Sequence, residues 1–512
     1  MKRLYAVAAI ANLSIAGSVF ARPMTATLNL AERVPVSQLA ADVSNPDSER
    51  YGIFYTPEEI RTLSAPTDSS YDSLLATLRA EGFSIIYESN SHLVLRIAAD
   101  HTVFEKVFST QIQFSGTQAQ FHMNSVSPRI PQYLSAIKTI SGFNNTHKFK
   151  PLYTKLDSSD NDSDAQPGIL PSQIKTAYGL DAIYDDGFTG QGQHIAIATY
   201  MDFMLEDVQQ YYTNVGLSPT PQIDKVNFNG KAAYDSGSAL ETELDAEFSG
   251  MIAPGANIHV FTSAENSDQA EVDLFTAILD DNRAKVVNYS WGSCERNVDA
   301  EHRKAMDPVF ARAVAQGVNL MIASGDSGSD GCEDGSVAGE WPATHPNVVA
   351  VGGTTLTIND DGSGSEQAWS GSGGGVSAFY KLPHWQKNFQ SPFIKRSFPD
   401  IAFNADPASG EAVWARSDST GSPSWQVIGG TSMAAPQWTG FLTLVNEARA
   451  SEGRRALGFL NPILYPVKNK AKMLSDITSG SNGAYKATRG WNAVTGWGSM
   501  KGADLLEYLL SH

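Results

Sequence analysis

The chain has 512 residues, of which 42% are hydrophobic and 18% charged, a composition typical of a folded globular protein rather than a disordered one. That length accommodates several domains, or one large domain with accessory segments. The formal net charge of −18 at pH 7 argues against nucleic acid or an anionic membrane as a partner, because both reward basic patches.

The N-terminal stretch MKRLYAVAAIANLSIAGSVFARP predicts a signal peptide. Lys2 and Arg3 precede an apolar run, and the residues VFA stand directly before Arg22 with the spacing of a cleavage site. The apolar run is shorter than the roughly 20 residues that a membrane span requires, which argues against an anchor. We therefore expect residues 1–21 to be removed and the protein to be secreted, to the extracellular medium or to the periplasm.

Residues 22–153 predict an α+β unit. TPEEI places Thr56 as an N-cap, Pro57 at the first helical position and Glu59 in a capping box, and a second short helix ends at Gly82. The strands FSIIYES and HLVLRIAA and the helix HTVFEKVFS follow. Residues 154–168 are acidic, rich in serine and nearly free of apolar residues, so they predict an exposed linker that proteases can reach.

Residues 169–512 predict an α/β domain. Continuous apolar runs, typical of buried parallel strands, alternate with helical stretches at 205–215, 241–252, 270–283 and 307–316. This alternation predicts a parallel sheet with helices on both faces, and the active site is expected at the carboxyl ends of its strands. The predicted strands are 194–200, 257–263, 285–291, 318–324 and 347–353.

The helix that begins ETELDAEFSG turns two of its four acids toward its apolar face. At about 100° per residue, Asp245 lies about 40° from Glu241, on the side of the apolar residues, whereas Glu243 and Glu247 point toward solvent. Burying a carboxylate is costly, so the inward pair needs a reason. An ordinary pair of acids on a surface helix remains the alternative.

The motif GGTSMAAPQW places Ser432 between a glycine turn and a helix, beside the unpaired N–H groups of the first helical turn. A plain serine N-cap is the ordinary interpretation of such a position, but the whole motif matches the nucleophile motif of subtilisin-like serine peptidases. A serine nucleophile needs a base, and none of the ten histidines stands in the HGT context of that group. Glu241 occupies the expected position of the base.

A second departure from subtilisins is ASGDSGSDG, in which Asp326 stands where a related turn presents an asparagine to the oxyanion. An aspartate donates a hydrogen bond only when it is protonated. Since its unperturbed pKa is about 3.9, activity should favour acidic pH.

These residues resemble the sedolisins, or serine-carboxyl peptidases, and in particular the bacterial pseudomonalisin- and xanthomonalisin-like members. YGIFYTPEE and FNNTHKF are similar to the activation pro-domain of the kumamolisin type. The later motifs follow in family order: ETELD, APGANI, NYSWG, SGDSG, WPATHPNVVAVGGT, AWSGSGGGVS, FPDIAFNADP and GGTSMAAP.

The resemblance implies a subtilisin-like fold and a role for each matching residue. Ser432 would be the nucleophile and Glu241 the general base and later the general acid. Asp245 would orient and support Glu241, and Asp326 would form the oxyanion hole with backbone N–H groups. Two carboxyls at i and i+4 lie on adjacent turns, so we expect one shared proton near the working pH.

The C-terminal stretch from Asp476 resembles the calcium loop of this family. Thr488 stands where glycine is usual, and Asn492 replaces the second aspartate, which removes a charge and should weaken binding. One calcium ion is the expectation, and a metal-free loop closed by hydrogen bonds is the alternative. The matching positions are Asp476, Ile477, Thr488, Gly490 and Asn492.

Cys294 and Cys332 are the only cysteines, and an even pair in an exported protein suggests one disulfide, with two unrelated buried thiols as the alternative. Such a bond would brace the loop that presents Asp326. Trp291 would either line the site or pack in the core.

The resulting hypothesis is a secreted, acid-active endopeptidase made as a zymogen and processed in or near the linker. Its partners would be protein or peptide substrates and its own pro-domain, acting as inhibitor and folding aid, with no nucleic acid, no membrane and a monomeric state. Two alternatives stay open: a neutral subtilisin-type peptidase, and a catalytically inactive secreted binding protein on the same scaffold.

Overall fold

A computed structural model describes residues 22–116, 120–156, 168–387, 393–416, 421–467 and 470–512. The predicted signal peptide, 1–21, lies outside these ranges, as do residues 157–167 of the predicted linker. Every helix within the described ranges is too short or too polar to cross a membrane.

The N-terminal region folds as a four-stranded antiparallel sheet with helices, in the strand order β2-β3-β1-β6, and a separate hairpin of β4 and β5. The predicted capping box is confirmed, because Thr56 accepts from the Glu59 N–H while the Glu59 side chain accepts from the Thr56 N–H. The elements are β1 (Pro23–Leu30), α1 (Val36–Ser44), α2 (Pro57–Ser64), α3 (Asp68–Glu81), β2 (Ser84–Glu88), β3 (Val94–Asp100), α4 (His101–Phe108), β4 (Gln111–Ser115), β5 (Phe121–Val126) and β6 (Ile137–Ser141).

Strand β1 is absent from the predicted elements, although it lies at the centre of this sheet. Its apolar residues face the core of the N-terminal region, while its polar residues face the rest of the molecule instead of solvent. The Thr27 hydroxyl donates to Asp273 at 2.5 Å, and the Asn29 amide donates to the carbonyl of Ala305 at 2.6 Å. The N-terminal sheet therefore docks on the larger domain through β1.

Two short strands, β7 (Lys150–Pro151) and β8 (Thr154–Lys155), connect the N-terminal sheet to the linker. The α/β region then contains helices α5 (Pro171–Ala177), α6 (Asp181–Asp185), α7 (Leu205–Asn214), α8 (Ser236–Ile252), α9 (Asp268–Asp281), α10 (Ala300–Ala315), α11 (His384–Lys387), α12 (Thr431–Ser451), α13 (Asn461–Leu464) and α14 (Gly502–Leu510). Its strands are β9 (His194–Thr199), β10 (Gln222–Asn227), β11 (Asn257–Thr262), β12 (Val286–Tyr289), β13 (Trp291–Cys294), β14 (Asn319–Ala323), β15 (Glu340–Trp341), β16 (Val349–Ile358), β17 (Gly364–Ala368), β18 (Gly375–Lys381), β19 (Lys395–Phe398), β20 (Ile401–Asn404), β21 (Glu411–Arg416), β22 (Pro423–Gly429), β23 (Leu474–Ser475) and β24 (Ser499–Met500).

The central sheet has the strand order β10-β11-β9-β12-β14-β16-β17, with β20 also paired to β16. The first six strands in this order are parallel to one another, and β20 is parallel to β16. The five predicted strands are confirmed as β9, β11, β12, β14 and β16. Helices α8 and α12 pack on one face and α9 and α10 on the other, each over its own apolar cluster. The strand order reverses at β9, where α/β sheets form their ligand crevice.

The prediction that Glu243 and Glu247 face solvent is wrong. Glu243 is 1% exposed and Glu247 is fully buried, because α8 is enclosed on all sides by α7, α12 and β21. Glu243 accepts from the Met204 N–H at 3.1 Å, and Glu247 accepts from the Trp414 N–H at 3.3 Å. The helical wheel divided the acids into two faces, but tertiary packing leaves this helix no solvent face.

The predicted disulfide between Cys294 and Cys332 is present. It joins the end of β13 to the loop that follows β14 and contains Asp326.

Candidate active site

Helix α8 positions Glu241 and Asp245 over the carboxyl ends of the central strands. The helix begins after Asp235, whose side chain accepts from the Ser238 N–H at 3.1 Å and caps the first turn. Glu241 and Asp245 are both fully buried. The prediction that this pair faces inward is confirmed.

Ser432 lies in the first turn of α12, directly after the glycine turn at Gly430. Gly430 has a φ of 110°, and a side chain there would collide with Asp326 Oδ2 and with the carbonyl of Leu152. The sharp turn brings the Ser432 hydroxyl to 3.0 Å from Glu241 Oε2, in a geometry that lets Ser432 donate. A nucleophile and a base within hydrogen-bonding distance form the reactive pair of covalent catalysis.

Asp245 is held by the carboxyl end of β12, because Ser290 donates its hydroxyl to Asp245 Oδ1 at 2.7 Å. Within the described ranges, Glu241 Oε1 and Asp245 Oδ2 are buried without a hydrogen-bond donor. One proton shared by the two carboxyls would satisfy both atoms. Burial, followed by the charge of Asp245, raises the pKa of Glu241 well above its usual range, and burial likewise raises the pKa of Asp245.

Asp326 follows β14 and faces the turn before Ser432. Its Oδ1 accepts from the Thr431 N–H at 2.7 Å and from the Thr431 hydroxyl at 2.9 Å. Burial raises the pKa of Asp326 to about 7, although the bond from Thr431 opposes the shift. Asp326 Oδ2 and the Leu152 carbonyl oxygen flank the same side of Gly430. Asp326 Oδ2 also accepts from the Thr154 hydroxyl at 3.4 Å.

Four histidines of the α/β domain have partners away from Ser432. His302 contacts Glu271, His345 contacts Asp307, and His194 and His259 contact each other in strands β9 and β11. In the described part of the chain, the Ser432 hydroxyl has no histidine partner. Its hydrogen bonds go to Glu241, to the Leu152 carbonyl and, at 3.5 Å, to the Ser290 carbonyl.

The segment around Leu152 lies in the cleft, in contact with the reactive pair. The Ser432 N–H donates to the Leu152 carbonyl at 3.0 Å, and the Ser432 hydroxyl bonds the same oxygen. The Leu152 N–H reaches the Ser290 carbonyl at 3.1 Å and Glu241 Oε2 at 3.0 Å. The motifs contain no signal for this placement, because no catalytic residue type marks Leu152.

Trp291 is part of β13, whose backbone pairs with the cleft segment at Pro151. Its ring is 2% exposed and packs edge-on against Tyr200 with centroids 5.3 Å apart. Of the two predicted positions for Trp291, its side chain therefore packs in the core, and its backbone borders the cleft.

The five residues of the predicted calcium loop come together, but their hydrogen bonds do not present a donor set that fits the ion. The Asn492 amide N–H₂ points at the carbonyls of Ile477 and Thr488, at 3.4 and 3.3 Å, while its oxygen accepts from the N–H groups of Val494 and Thr495. The N–H of Gly490 donates to both oxygens of Asp476. Calcium prefers oxygen ligands, and here an amide donor faces the carbonyls that would bind it. The calcium ion stays a prediction from the resemblance.

Comparisons with known proteins agree with this arrangement. Residues 23–146 match the pro-kumamolisin activation domain and residues 182–498 match the subtilase family. Sedolisin from Pseudomonas sp. (strain 101) is 29% identical over 95% of this chain and 86% of its own length. Kumamolisin from Bacillus sp. (strain MN-32) is 34% identical over 68% of this chain and 65% of its own length. The solved structure of Pseudomonas sedolisin, a serine-carboxyl proteinase complexed with two molecules of pseudo-iodotyrostatin, aligns with a TM-score of 0.61 and 30% identity, over 68% of this chain and 99% of that one.

Proposed function

The chain belongs to the subtilase family and, within it, to the sedolisins, the serine-carboxyl peptidases; from this premise we propose that it is a secreted, acid-active endopeptidase made as a zymogen. The observation that carries the proposal is the contact of 3.0 Å between the Ser432 hydroxyl and Glu241 Oε2, with a peptide carbonyl on the Ser432 N–H.

The proposed reaction begins when Ser432 Oγ attacks the carbonyl carbon of the substrate and Glu241 takes the hydroxyl proton. Glu241 then gives that proton to the nitrogen of the leaving amine, and the carbon–nitrogen bond breaks. Glu241 next activates a water molecule, which hydrolyses the ester on Ser432. Asp245 supports Glu241 by sharing a proton with it, so that the pair exchanges charge without holding two negative charges in a buried site.

Asp326 would stabilise the oxyanion together with the Ser432 N–H. The Asp326 carboxyl donates only when it is protonated, so this contribution is complete below its pKa of about 7 and is lost as the pH rises through that value. Activity should therefore be higher in acid, where Asp326 is protonated, than at neutral pH.

The two alternatives are less well supported. A neutral subtilisin-type peptidase needs a histidine base, and Glu241 occupies the position next to the Ser432 hydroxyl. A catalytically inactive binding protein would have no need for a serine hydroxyl and a glutamate at hydrogen-bonding distance, with both matched aspartates beside them. Secretion rests on residues 1–21, which the structure does not describe. The expectations of peptide substrates, an inhibitory pro-domain and a monomeric state likewise belong to the proposal.

The experiment is to incubate the purified zymogen at pH 3–7 with a denatured protein substrate, beside the variants Ser432→Ala and Glu241→Ala. Ser451→Ala, at the other end of α12, is the matched control, because Ser451 is exposed and its hydroxyl donates to the Ala448 carbonyl of its own helix. We expect acid-dependent proteolysis by the wild type and by the control and none by the other two. An optimum at pH 7–9, or equal activity in the Ser432→Ala variant, would refute the proposal.

A further inference from the structure

The segment 150–155 crosses the cleft as an extended strand that pairs with the α/β domain on both sides of Ser432. Before Leu152, β7 runs antiparallel to β13, with Pro151 opposite Trp291 and Lys150 opposite Gly292. After Leu152, β8 runs antiparallel to β22, with Thr154 opposite Gly429 and Lys155 opposite Ile428. A chain held by strand pairing on both sides of a nucleophile is bound as a substrate would be.

One peptide bond of this strand faces the reactive pair. The carbonyl carbon of Leu152 carries the oxygen that the Ser432 N–H and hydroxyl both contact, and the other atom of its amide bond is the nitrogen of Tyr153. The Leu152 N–H is fixed from behind by the Ser290 carbonyl at 3.1 Å, which sets the register. A shift by one residue would break this bond and reverse the faces of the strand.

The Leu152 side chain occupies a closed pocket. It is 2% exposed, and its Cδ1 would lie 2.9 Å from a Cβ added to Gly292. The same added atom would lie 2.8 Å from Glu340 Oε2, so the absence of a side chain at Gly292 leaves room for both groups. The pocket fits an aliphatic side chain in this position.

Two residues earlier, the Lys150 ammonium enters an acidic subsite. It bonds Glu333, and it lies 3.8 Å from Glu340 Oε1. Glu340 is 2% exposed, and neither of its oxygens has a hydrogen-bond donor within the described ranges. The bond from Lys150 lowers the pKa of Glu333, whereas burial raises the pKa of Glu340 to about 8. The Lys150 ammonium therefore bonds the more acidic of the two carboxyls.

We propose that this peptidase makes its first self-cleavage between Leu152 and Tyr153, and that it prefers substrates with an aliphatic residue before the cleaved bond and a lysine or arginine two residues earlier. The inference rests on the proposed function. It places the cut just before the predicted linker 154–168, whose residues Thr154 and Lys155 already pair with β22 beyond the reactive carbonyl.

The step balances without a co-reactant other than water. The bond from Leu152 C to Tyr153 N breaks while an ester forms between Leu152 C and Ser432 Oγ. The hydroxyl proton passes through Glu241 to the Tyr153 nitrogen, which becomes a free amine. Water then hydrolyses the ester and leaves Leu152 with a carboxylate.

The first test follows the full-length zymogen after acidification, by intact mass and N-terminal sequencing at the earliest times. We expect a fragment that begins at Tyr153. Leu152→Asp should slow its appearance by at least about tenfold, because a charge replaces an aliphatic group in a closed pocket. Leu156→Asp is the matched control, since Leu156 is exposed, and it should process at the wild-type rate. A first new N-terminus inside 154–168 would overturn the assignment of the bond.

The second test uses the processed enzyme and the synthetic peptide FKPLYTKL, residues 149–156, which avoids any folding defect of a variant zymogen. Cleavage to FKPL and YTKL is expected, and the Lys150→Glu peptide should be cleaved about fivefold more slowly, the size of an exposed ion pair. The Lys155→Glu peptide is the control and should be cleaved at the same rate as the original, because Lys155 pairs with β22 through its backbone and its side chain is exposed.

Two outcomes separate this inference from the function on which it rests. Digestion of denatured protein in acid, combined with a different self-cleavage bond or with no preference at the lysine position, would overturn the inference and leave the peptidase proposal intact. Failure to digest any protein in acid would overturn the proposed function itself.

Discussion

The N-terminal region and the α/β domain differ in how many of their acidic residues are buried. Among the described residues 22–156, no aspartate or glutamate is buried, and the core is apolar. The described residues of the α/β domain include twelve buried acids: Asp207, Glu241, Glu243, Asp245, Glu247, Asp268, Glu271, Asp273, Glu295, Glu340, Asp400 and Glu411. The two regions therefore respond differently to protons, although one chain forms both.

The comparison shows where acid acts on this molecule. Burial raises the pKa of Glu243 to about 8 and that of Glu411 to about 7, so these carboxyls are neutral in acid and become buried charges as the pH rises. The N-terminal region has no buried carboxyl of this kind among its described residues. Acidification thus neutralises these two buried carboxyls of the α/β domain.

The strongest test of the comparison lies within α8, where the buried glutamates Glu241 and Glu247 lie about 1.7 turns apart. Glu241→Gln should reduce kcat/KM by about three to four orders of magnitude, because Ser432 loses its base. Glu247→Gln makes the same chemical change in the same helix, away from Ser432, and should stay within about tenfold of wild type. The measurement is hydrolysis of a peptide substrate in acid, with folding checked by circular dichroism. Equal losses in both variants would mean that burial, not catalysis, explains Glu241.

Asp326→Asn separates the oxyanion donor from the other acids. An asparagine donates at every pH, so the variant should keep part of its activity, with a loss of about a hundredfold, and the decline of kcat/KM toward pH 7 should weaken. The readout is a pH–rate profile beside that of wild type. If the decline toward neutral pH is unchanged, Asp326 does not supply the protonation-dependent step.

Thermal stability should fall as the pH rises, because the raised pKa values belong to the folded state. The contribution of Glu243 is complete below its unfolded pKa of about 4.3 and is lost as the pH rises toward about 8. The Ser432→Ala zymogen, which avoids self-cleavage, should therefore melt about 5 °C or more higher at pH 5 than at pH 8. Glu243→Gln should reduce that difference. A midpoint that rises between pH 5 and pH 8 would contradict the assigned direction.

The smallest effect is expected at the loop that contains Asp476 and Asn492, where an amide replaces an acid. A chelator should shift the melting midpoint of the Ser432→Ala zymogen by less than about 1 °C, because hydrogen bonds of Asn492 already close the loop. Asn492→Asp should make the midpoint rise with added calcium. A large decrease in the melting midpoint of the protein with Asn492 on adding chelator would support the calcium ion that the resemblance implies.

Local sequence determined much of this protein. The capping box at Thr56, the five apolar strands and the helices between them follow from spacing alone, since a capping pair or a buried strand is specified within a few residues. The ordered motifs identified Ser432, Glu241, Asp245 and Asp326 as the candidate site, and the structure brings them together.

Only the tertiary structure decided the rest, because it depends on partners that are distant in the sequence. Periodicity reports one apolar face and cannot indicate that α7, α12 and β21 also cover Glu243 and Glu247. The alternation of polar and apolar residues in β1 is visible in the sequence, but the docking of β1 on α9 and α10 is not. Leu152 meets Ser432 across 280 residues of chain, and packing alone places that bond against the nucleophile.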